Sequence, residues 1–331
     1  MERKRLAKLT LLVGFLLFVT SPLILAQEFP TRPINITVSN NPGTNPDIIM
    51  RMLASKAEKR LGQPIVISNN GEGAGTVPLS ILTKAKPDGY HLVAHTTVSV
   101  TWTIELRQSQ GRPLSYTADD FTPILHYGVG RAGLVVKTES PFKTLKELVE
   151  YARQNPEKVS YSVSAFGNPP HFAMEYIAHR EGIKMICIPC GGDGAALTAL
   201  LGGHVTACSS PQNWISQVKE GKFRLLVVYT TDRMRIFPDA PALRELGYDY
   251  TDDPFYMLSA PRGTPPSIVN KLDDAFHKAM GDPEFIQFME KINIEIVYRN
   301  SEELKSFIKK TGEFWKKQIA EIGITKAPDK K

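Results

Sequence analysis

Ile34, Ile36 and Val38 are apolar and Asn35 and Thr37 between them are polar, the period of a strand with one buried face. The alternation stops at a polar run, residues 39–45, SNNPGTN. Beyond it Ile48, Ile49, Met52, Leu53, Ala57 and Leu61 recur at helical spacing. Asn45-Pro46-Asp47 has the chemistry of a helix start. Asn caps free amides, Pro suits the first helical position, and Asp suits the positive end of the dipole. Gly62, with Pro64 beyond it, predicts the stop. The unit is strand, polar loop, helix.

The unit recurs. Residues 65–67 predict a strand, NNGEGAGTVP (69–78) a glycine-rich loop, 79–86 a helix, KPDGY a turn and 90–94 a strand leading into HTTVS. A second series starts near Leu134. Residues 134–136 predict a strand, and Thr144 with Glu147 a capping box before a helix to Arg153. Residues 161–164, 185–188 and 225–229 predict strands, and 171–181 and 195–201 helices stopped by Gly182 and by Gly202-Gly203. Residues 255–260 predict a strand, TPPSIVNKLDDAFHKAM a helix, and 301–322 a long amphipathic helix. Such alternation indicates a parallel α/β sheet. The loops near 40–45, 70–77, 165–170 and 190–194 are all rich in small or polar residues, and each precedes a helix. Loops at the carboxyl ends of strands are where open α/β sheets bind ligands, and free amides at a helix start suit an anion.

A chain of 331 residues, 42% hydrophobic and 22% charged, is ordinary globular material with room for two domains. Its first 26 residues read as a leader. Arg3, Lys4, Arg5 and Lys8 precede the apolar run LTLLVGFLLFV, and a cleavage site follows at Ala26. An uncleaved anchor is the competing reading, for which the run is short. The leader's four basic residues and Glu2 account for +3 of the formal +6, and the rest of the chain intersperses both signs. That pattern does not suggest a nucleic-acid surface.

Cys187 and Cys190 have the CxxC spacing, but KMICIPC predicts a strand running into a loop rather than a pair opening a helix. A disulfide from Cys208 to one of them suits an exported protein. His91 and His95 share a strand face, with no further ligand spacing in view for a metal. Trp102 and Trp214 read as packing residues. GxSxG, HExxH and a P-loop are absent. Ser164 and His171 can be drawn into a triad only without a nucleophile elbow. No catalytic site or cofactor is expected.

FPTRPINITVSNNPGTNPDIIMRMLA, LGQPIVISNNGEGAGTVPLSILTKAKPDGYHLV, SVSAFGNPPHFAMEYI, IPCGGDGAALTALLGGHVTA, ALRELGYD and LSAPRGTPPSIVNKLDDAF lie in order along nearly the whole chain. Together they resemble the extracytoplasmic solute receptors of the tripartite tricarboxylate transporters, the Bug receptors. The resemblance implies a type II periplasmic-binding-protein fold, two α/β lobes joined by crossing strands around a cleft. One lobe would take residues 28–128 and 254–331, the other 129–253. It also implies a periplasmic monomer that binds a small carboxylate and delivers it to membrane permease subunits. Carried over by position, Asn40, Asn41, Gly43, Thr44 and Asp47 would form one wall of the site, and Gly73, Ala74, Gly75 and Thr76 the next. Thr96 and Thr97 would close the following strand. Gly167, Asn168 and His171 would come from the other lobe, with Gly192 and Asp193 opposite. Apart from the resemblance, Phe255 reads as a packing residue, with a place at the cleft as the alternative. Glu72 stands where the family has a small residue, and its charge would repel an acid unless it points outward. Two other readings of the residues stay open: an exported α/β hydrolase acting on a small acid, and a ligand sensor feeding a signalling partner.

Overall fold

In the computed structural model, which describes residues 29–323, the alternating segments become the strands of two five-stranded sheets. The predicted leader lies outside the described residues. The chain first runs through β1 (Ile34–Val38), α1 (Asn45–Leu61), β2 (Ile65–Asn69), α2 (Thr76–Leu82), β3 (His91–Thr96), α3 (Trp102–Ser109) and β4 (Phe121–Val129). It then crosses to β5 (Ala132–Lys137), α4 (Leu145–Gln154), β6 (Ser160–Val163), α5 (Pro169–Glu181), β7 (Ile186–Pro189), α6 (Asp193–Leu201), β8 (Ala207–Pro211), α7 (Ile215–Lys219) and β9 (Phe223–Val228). It returns through β10 (Phe255–Pro261), α8 (Pro266–Met280), α9 (Pro283–Lys291) and α10 (Ser301–Ile322).

The first sheet has the order β2-β1-β3-β10-β4 and the second β7-β6-β8-β5-β9. β1, β2 and β3 are parallel, with Ile36 beside both Ile67 and Leu92. β6, β7 and β8 are parallel as well. The all-parallel expectation fails at β10 and β5, which run antiparallel to both of their neighbours. These are the strands entered by crossing from the other sheet, so a βαβ unit does not set their direction. At the crossings Val129 pairs with Phe255, and the Gly130 N–H donates to Pro254 O at 2.8 Å. The Arg131 guanidinium lies there between Asp253, at 3.5 Å, and Glu295.

Each sheet has its own apolar core. Ile34, Ile36, Leu258, Phe276 and Phe285 belong to the first, and Leu134, Tyr161, Phe172, Leu226 and Tyr250 to the second. α10 serves both sides. Its start is tied to β4 by Ser301 Oγ donating to Pro123 O at 2.6 Å, and Leu304 and Ile308 pack with Val93 and Met257. Its second half delivers Trp315 and Ile319 to the second core. Trp315 meets Trp102 of α3 at 4.8 Å between ring centroids and Tyr250 at 5.6 Å, both edge to face.

Several predicted boundaries shift. α2 covers 76–82 rather than 79–86, because the loop before it coils directly into the helix. Thr44, not Asn45, occupies the cap of α1 and makes no side-chain cap bond. In the predicted capping box, Thr144 Oγ1 accepts from Glu147 N–H, but the Glu147 carboxylate reaches Lys143 N–H instead of closing back on Thr144. β4, β8, α3, α7 and α9 have no counterpart in the sequence reading. All three cysteines are free, so no disulfide joins Cys208 to Cys187 or Cys190.

Truncating Trp315 to Ala removes the ring that joins α10 to α3 and the second core. The expected cost is about 3–5 kcal/mol, read as a lower urea midpoint. An unchanged midpoint would show that this aromatic joint contributes nothing.

Candidate functional site

The parallel strands of each sheet place their carboxyl ends along one edge, and the loops that leave those ends approach one another. A cleft of about 1050 Å³ opens there. One wall is Gly73, Ala74 and Thr76, after β2. The other is the 165–169 loop after β6, and α3 supplies Trp102, Leu106, Arg107 and, just beyond its end, Arg112.

The loop after β2 is strained. Gly73, Ala74 and Gly75 have φ of +61°, +57° and +84°, and Ala74 accepts this despite its side chain. A Cβ on Gly75 would sit 2.6 Å from Ser39 O, and one on Gly71 would sit 2.5 Å from Asn41 Oδ1. The two glycines therefore let this loop lie directly on the loop after β1. Backbone strain of this kind costs of order 1–3 kcal/mol and persists only where the surroundings hold it.

Asp47 does the holding. Its carboxylate accepts from the Gly43 N–H at 2.8 Å, Arg51 Nε at 2.8 Å and Asn69 Nδ2 at 2.9 Å. Arg51 also donates to Asn69 Oδ1 at 2.6 Å, and Asn69 Nδ2 to Asn40 O at 3.1 Å. The side chain is only 4% exposed. Burial works to raise its pKa, but the Gly43 amide, Asn69 and Arg51 outweigh it and leave the pKa below the usual 3.8. The anion expected at the start of α1 is thus the protein's own. Thr44 is also engaged locally, donating from Oγ1 to Asn41 O at 2.7 Å.

On the opposite wall Asn168 caps α5 by accepting from His171 N–H at 2.9 Å, and its Nδ2 donates to Ser164 Oγ at 2.8 Å. His171 is buried behind this turn. Its Nδ1 accepts the Gly167 N–H at 3.3 Å, and burial lowers its pKa to about 4. It is therefore a neutral support for the loop. Trp102 Nε1 donates to Gly167 O at 3.2 Å, tying α3 to the same turn.

Of the predicted site residues, Gly73, Ala74, Thr76, Gly167 and Asn168 line the cleft together. Asn40, Asn41, Gly43, Thr44, Asp47 and Gly75 are not among the lining residues; Asp47 and Gly75 are buried, while Asn41 and Gly43 are exposed. His171 stands behind the second wall. Thr97 Oγ1 accepts the Phe255 N–H at 3.2 Å, so it braces a crossing strand, while Thr96 O is bonded to His95 Nδ1 at 2.9 Å. Asp193 opens α6 beside Ser164, with its pKa raised by burial and one carboxylate oxygen buried without a hydrogen bond. Gly192 precedes it as the cap residue. Phe255 takes the packing alternative and is not among the lining residues. Its ring stacks on His126 at 4.4 Å and meets Phe307 at 4.9 Å, because β10 turns that face toward α10.

Glu72 is exposed and is not among the cleft-lining residues. Arg107, Arg112 and Phe166 were missed; helical spacing of Trp102 and Leu106 was the available signal. His95 is buried and bonded to Thr96 and Ser259, and no cluster suited to a metal occurs among the described residues. Burial raises Cys187 to about 11 and Cys208 to about 12, opposite to the shift a reactive thiolate needs.

The sequence profile described as "Tripartite tricarboxylate transporter family receptor" matches residues 49–324. A UPF0065 protein from the gbd 5′ region of Cupriavidus necator is 35% identical over 304 residues, 91% of each chain. Among solved structures, a TctC solute binding protein from Polaromonas, without ligand, superposes with a TM-score of 0.77 at 25% identity, covering 88% of this chain and 99% of that one. R. palustris Rpa4515, solved with adipate, gives 0.76 at 25% identity, covering 89% and 99%.

Replacing Asp47 with Asn should cost about 1–3 kcal/mol near neutral pH. The depressed pKa makes the wild-type advantage present above the ordinary carboxylate value and lost as pH falls through the folded value. Urea midpoints for both proteins should therefore converge in acid. A pH-independent gap would assign the effect to packing rather than charge.

Proposed function

The chain belongs to the tripartite tricarboxylate transporter receptor family, and on that premise we propose that it captures a small organic acid in its cleft and delivers it to the permease subunits of such a transporter. The observation that carries this reading is the lining of the cleft. Loops from both sheets meet there with open backbone at Gly73 and Ala74, polar side chains at Thr76 and Asn168, and no Asp or Glu. Such a surface suits an anion. The adipate in Rpa4515 supports an acid as the ligand class.

Solute-binding receptors of this architecture work by closure, and the lobes proposed are residues 28–128 with 254–331, and 129–253. The boundaries follow the crossings at Gly130 and Pro254. α3 and the end of α10 pack on the second core and would move with it. In the closed form Asn40, Asn41 and Thr44 from one side, and Gly192 and Asp193 from the other, would approach a ligand already held by Gly73, Ala74, Thr76 and Asn168. The protein would act as a periplasmic monomer, with its leader removed after Ala26, and would release the acid unchanged.

A thermal-shift screen against mono-, di- and tricarboxylates, aromatic acids and amino acids should give a selective rise with one acid class. The Asn41→Ala, Thr44→Ala double variant should keep its unliganded melting temperature and bind that acid about tenfold more weakly. An unchanged affinity would remove the loop after β1 from the site. Chemical turnover of the bound acid would replace the receptor reading with the hydrolase one.

A further inference from the structure

We propose that Arg107 and Arg112 form an anion clamp that selects acids carrying a second carboxylate. The proposal rests on the receptor reading above and specifies its substrate class. Both residues line the cleft, and both are exposed. Neither guanidinium makes a hydrogen bond or ion pair with any described residue. Several arginines elsewhere are engaged with carboxylates, among them Arg51 with Asp47, Arg153 with Glu181 and Arg233 with Glu245. The cleft lining offers the two cleft arginines no such partner, because it contains no Asp or Glu.

Their placement is built into the backbone. α3 ends at Ser109, and Gly111 takes φ +67°, which reverses the chain. The Arg112 N–H then donates to Arg107 O at 2.9 Å, so the two residues are held at the same end of the helix. No side chain would crowd a Cβ on Gly111, so the left-handed turn alone calls for glycine there.

The rest of the cleft indicates what the clamp would hold. Gly73, Ala74 and Thr76 form the opposing wall, and Trp102, Leu106 and Phe166 are apolar lining. A volume of about 1050 Å³ exceeds what a short monocarboxylate fills. The matching ligand has one carboxylate on the loop after β2, an aliphatic or aromatic midsection against Trp102 and Phe166, and a second carboxylate on the arginines. A guanidinium binds a carboxylate through two parallel hydrogen bonds, a geometry that lysine or an amide does not reproduce.

The test is calorimetric binding of straight-chain dicarboxylates of graded length and of monocarboxylates of matched length. It uses the wild type, Arg107→Gln, Arg112→Gln and the double variant. The preferred dicarboxylate should bind the wild type at least about tenfold more tightly than its monocarboxylate counterpart. Added salt should erode that ratio. Each single variant should reduce the ratio, and the double variant should bring it near one. Circular-dichroism melting of the unliganded variants shows whether they fold as the wild type does. Acids binding with no dicarboxylate preference, or with a preference that survives in the double variant, overturn the clamp and leave the receptor reading standing. Failure of every acid to bind the wild type overturns both.

Discussion

The first wall of the cleft depends on a carboxylate turned into the protein. Asp47 gathers the Gly43 amide, Arg51 and Asn69 around one buried anion, and in doing so fixes the loop after β1 to the end of β2. The strained turn at Gly73, Ala74 and Gly75 rests on that platform, with Gly75 against the Ser39 carbonyl. Gly73 and Gly75 take left-handed backbone freely, so the steric cost falls on Ala74. Local bonds hold the turn, with the Gly75 N–H donating to Gly71 O at 3.3 Å and Thr76 Oγ1 to Gly73 O at 2.8 Å, and the loop beneath it is fixed by charge-assisted bonds to a buried carboxylate. The helix dipole of α1 contributes in the same direction, since Asp47 sits in its first turn. The anion at this helix start is the protein's own, and it makes a structural joint beneath the loop that lines the cleft.

The opposite wall is held by aromatic packing rather than charge. Trp102 reaches Gly167 O with its indole N–H and presses its ring against Phe172 and Trp315 at 4.7 and 4.8 Å. α3 follows the first sheet in the chain, yet its buried side chains belong to the second core. α10 does the same over a longer span, starting on β4 and ending beside α3. Two elements therefore strap across the crossings at Gly130 and Pro254. Closure of the lobes would have to bend at those crossings, where Arg131 stands between Asp253 and Glu295, while α3 stays with the wall it helps to form. The cleft would narrow by bringing the turn at Ala74 toward α3, a motion that leaves both aromatic and ionic joints intact.

Legibility in the sequence followed the same division. Segments whose partners are near in sequence were readable, and β1, α1, β2, α5 and α10 lie close to where periodicity and caps put them. The loops after β2 and β6 were also readable, because runs of small and polar residues before a helix are a local signal. What was hidden depends on distant partners. β4 is FTPILHYGV, too uniformly apolar to show a period, since both of its faces are covered. Phe255 stood open between packing and the cleft, and its partner His126 lies on a strand that spacing does not place beside it. Asp47 was read correctly as a first-turn acid, but its bond to Asn69 depends on the pairing of β1 with β2, which spacing alone does not reveal. Arg107 and Arg112 were invisible for a different reason. An exposed arginine is unremarkable in a sequence, and only the absence of a carboxylate partner in the cleft lining gives it meaning.

That absence bears on how the cleft discriminates. The formal net charge of the whole chain is small and its signs are interspersed, so a long-range field contributes little at physiological salt, where charges are screened within about 8 Å. Selection for an acid must then arise inside the cleft. The two loop walls provide dipoles and hydrogen-bond donors that accept many small anions. The arginines differ in kind, because a guanidinium without a protein partner keeps its full charge for a ligand and gains strength as closure excludes water. A receptor built this way separates two tasks. Asp47 and the aromatic joints hold the walls in place, and the side chains left unpaired decide which acid is worth closing on.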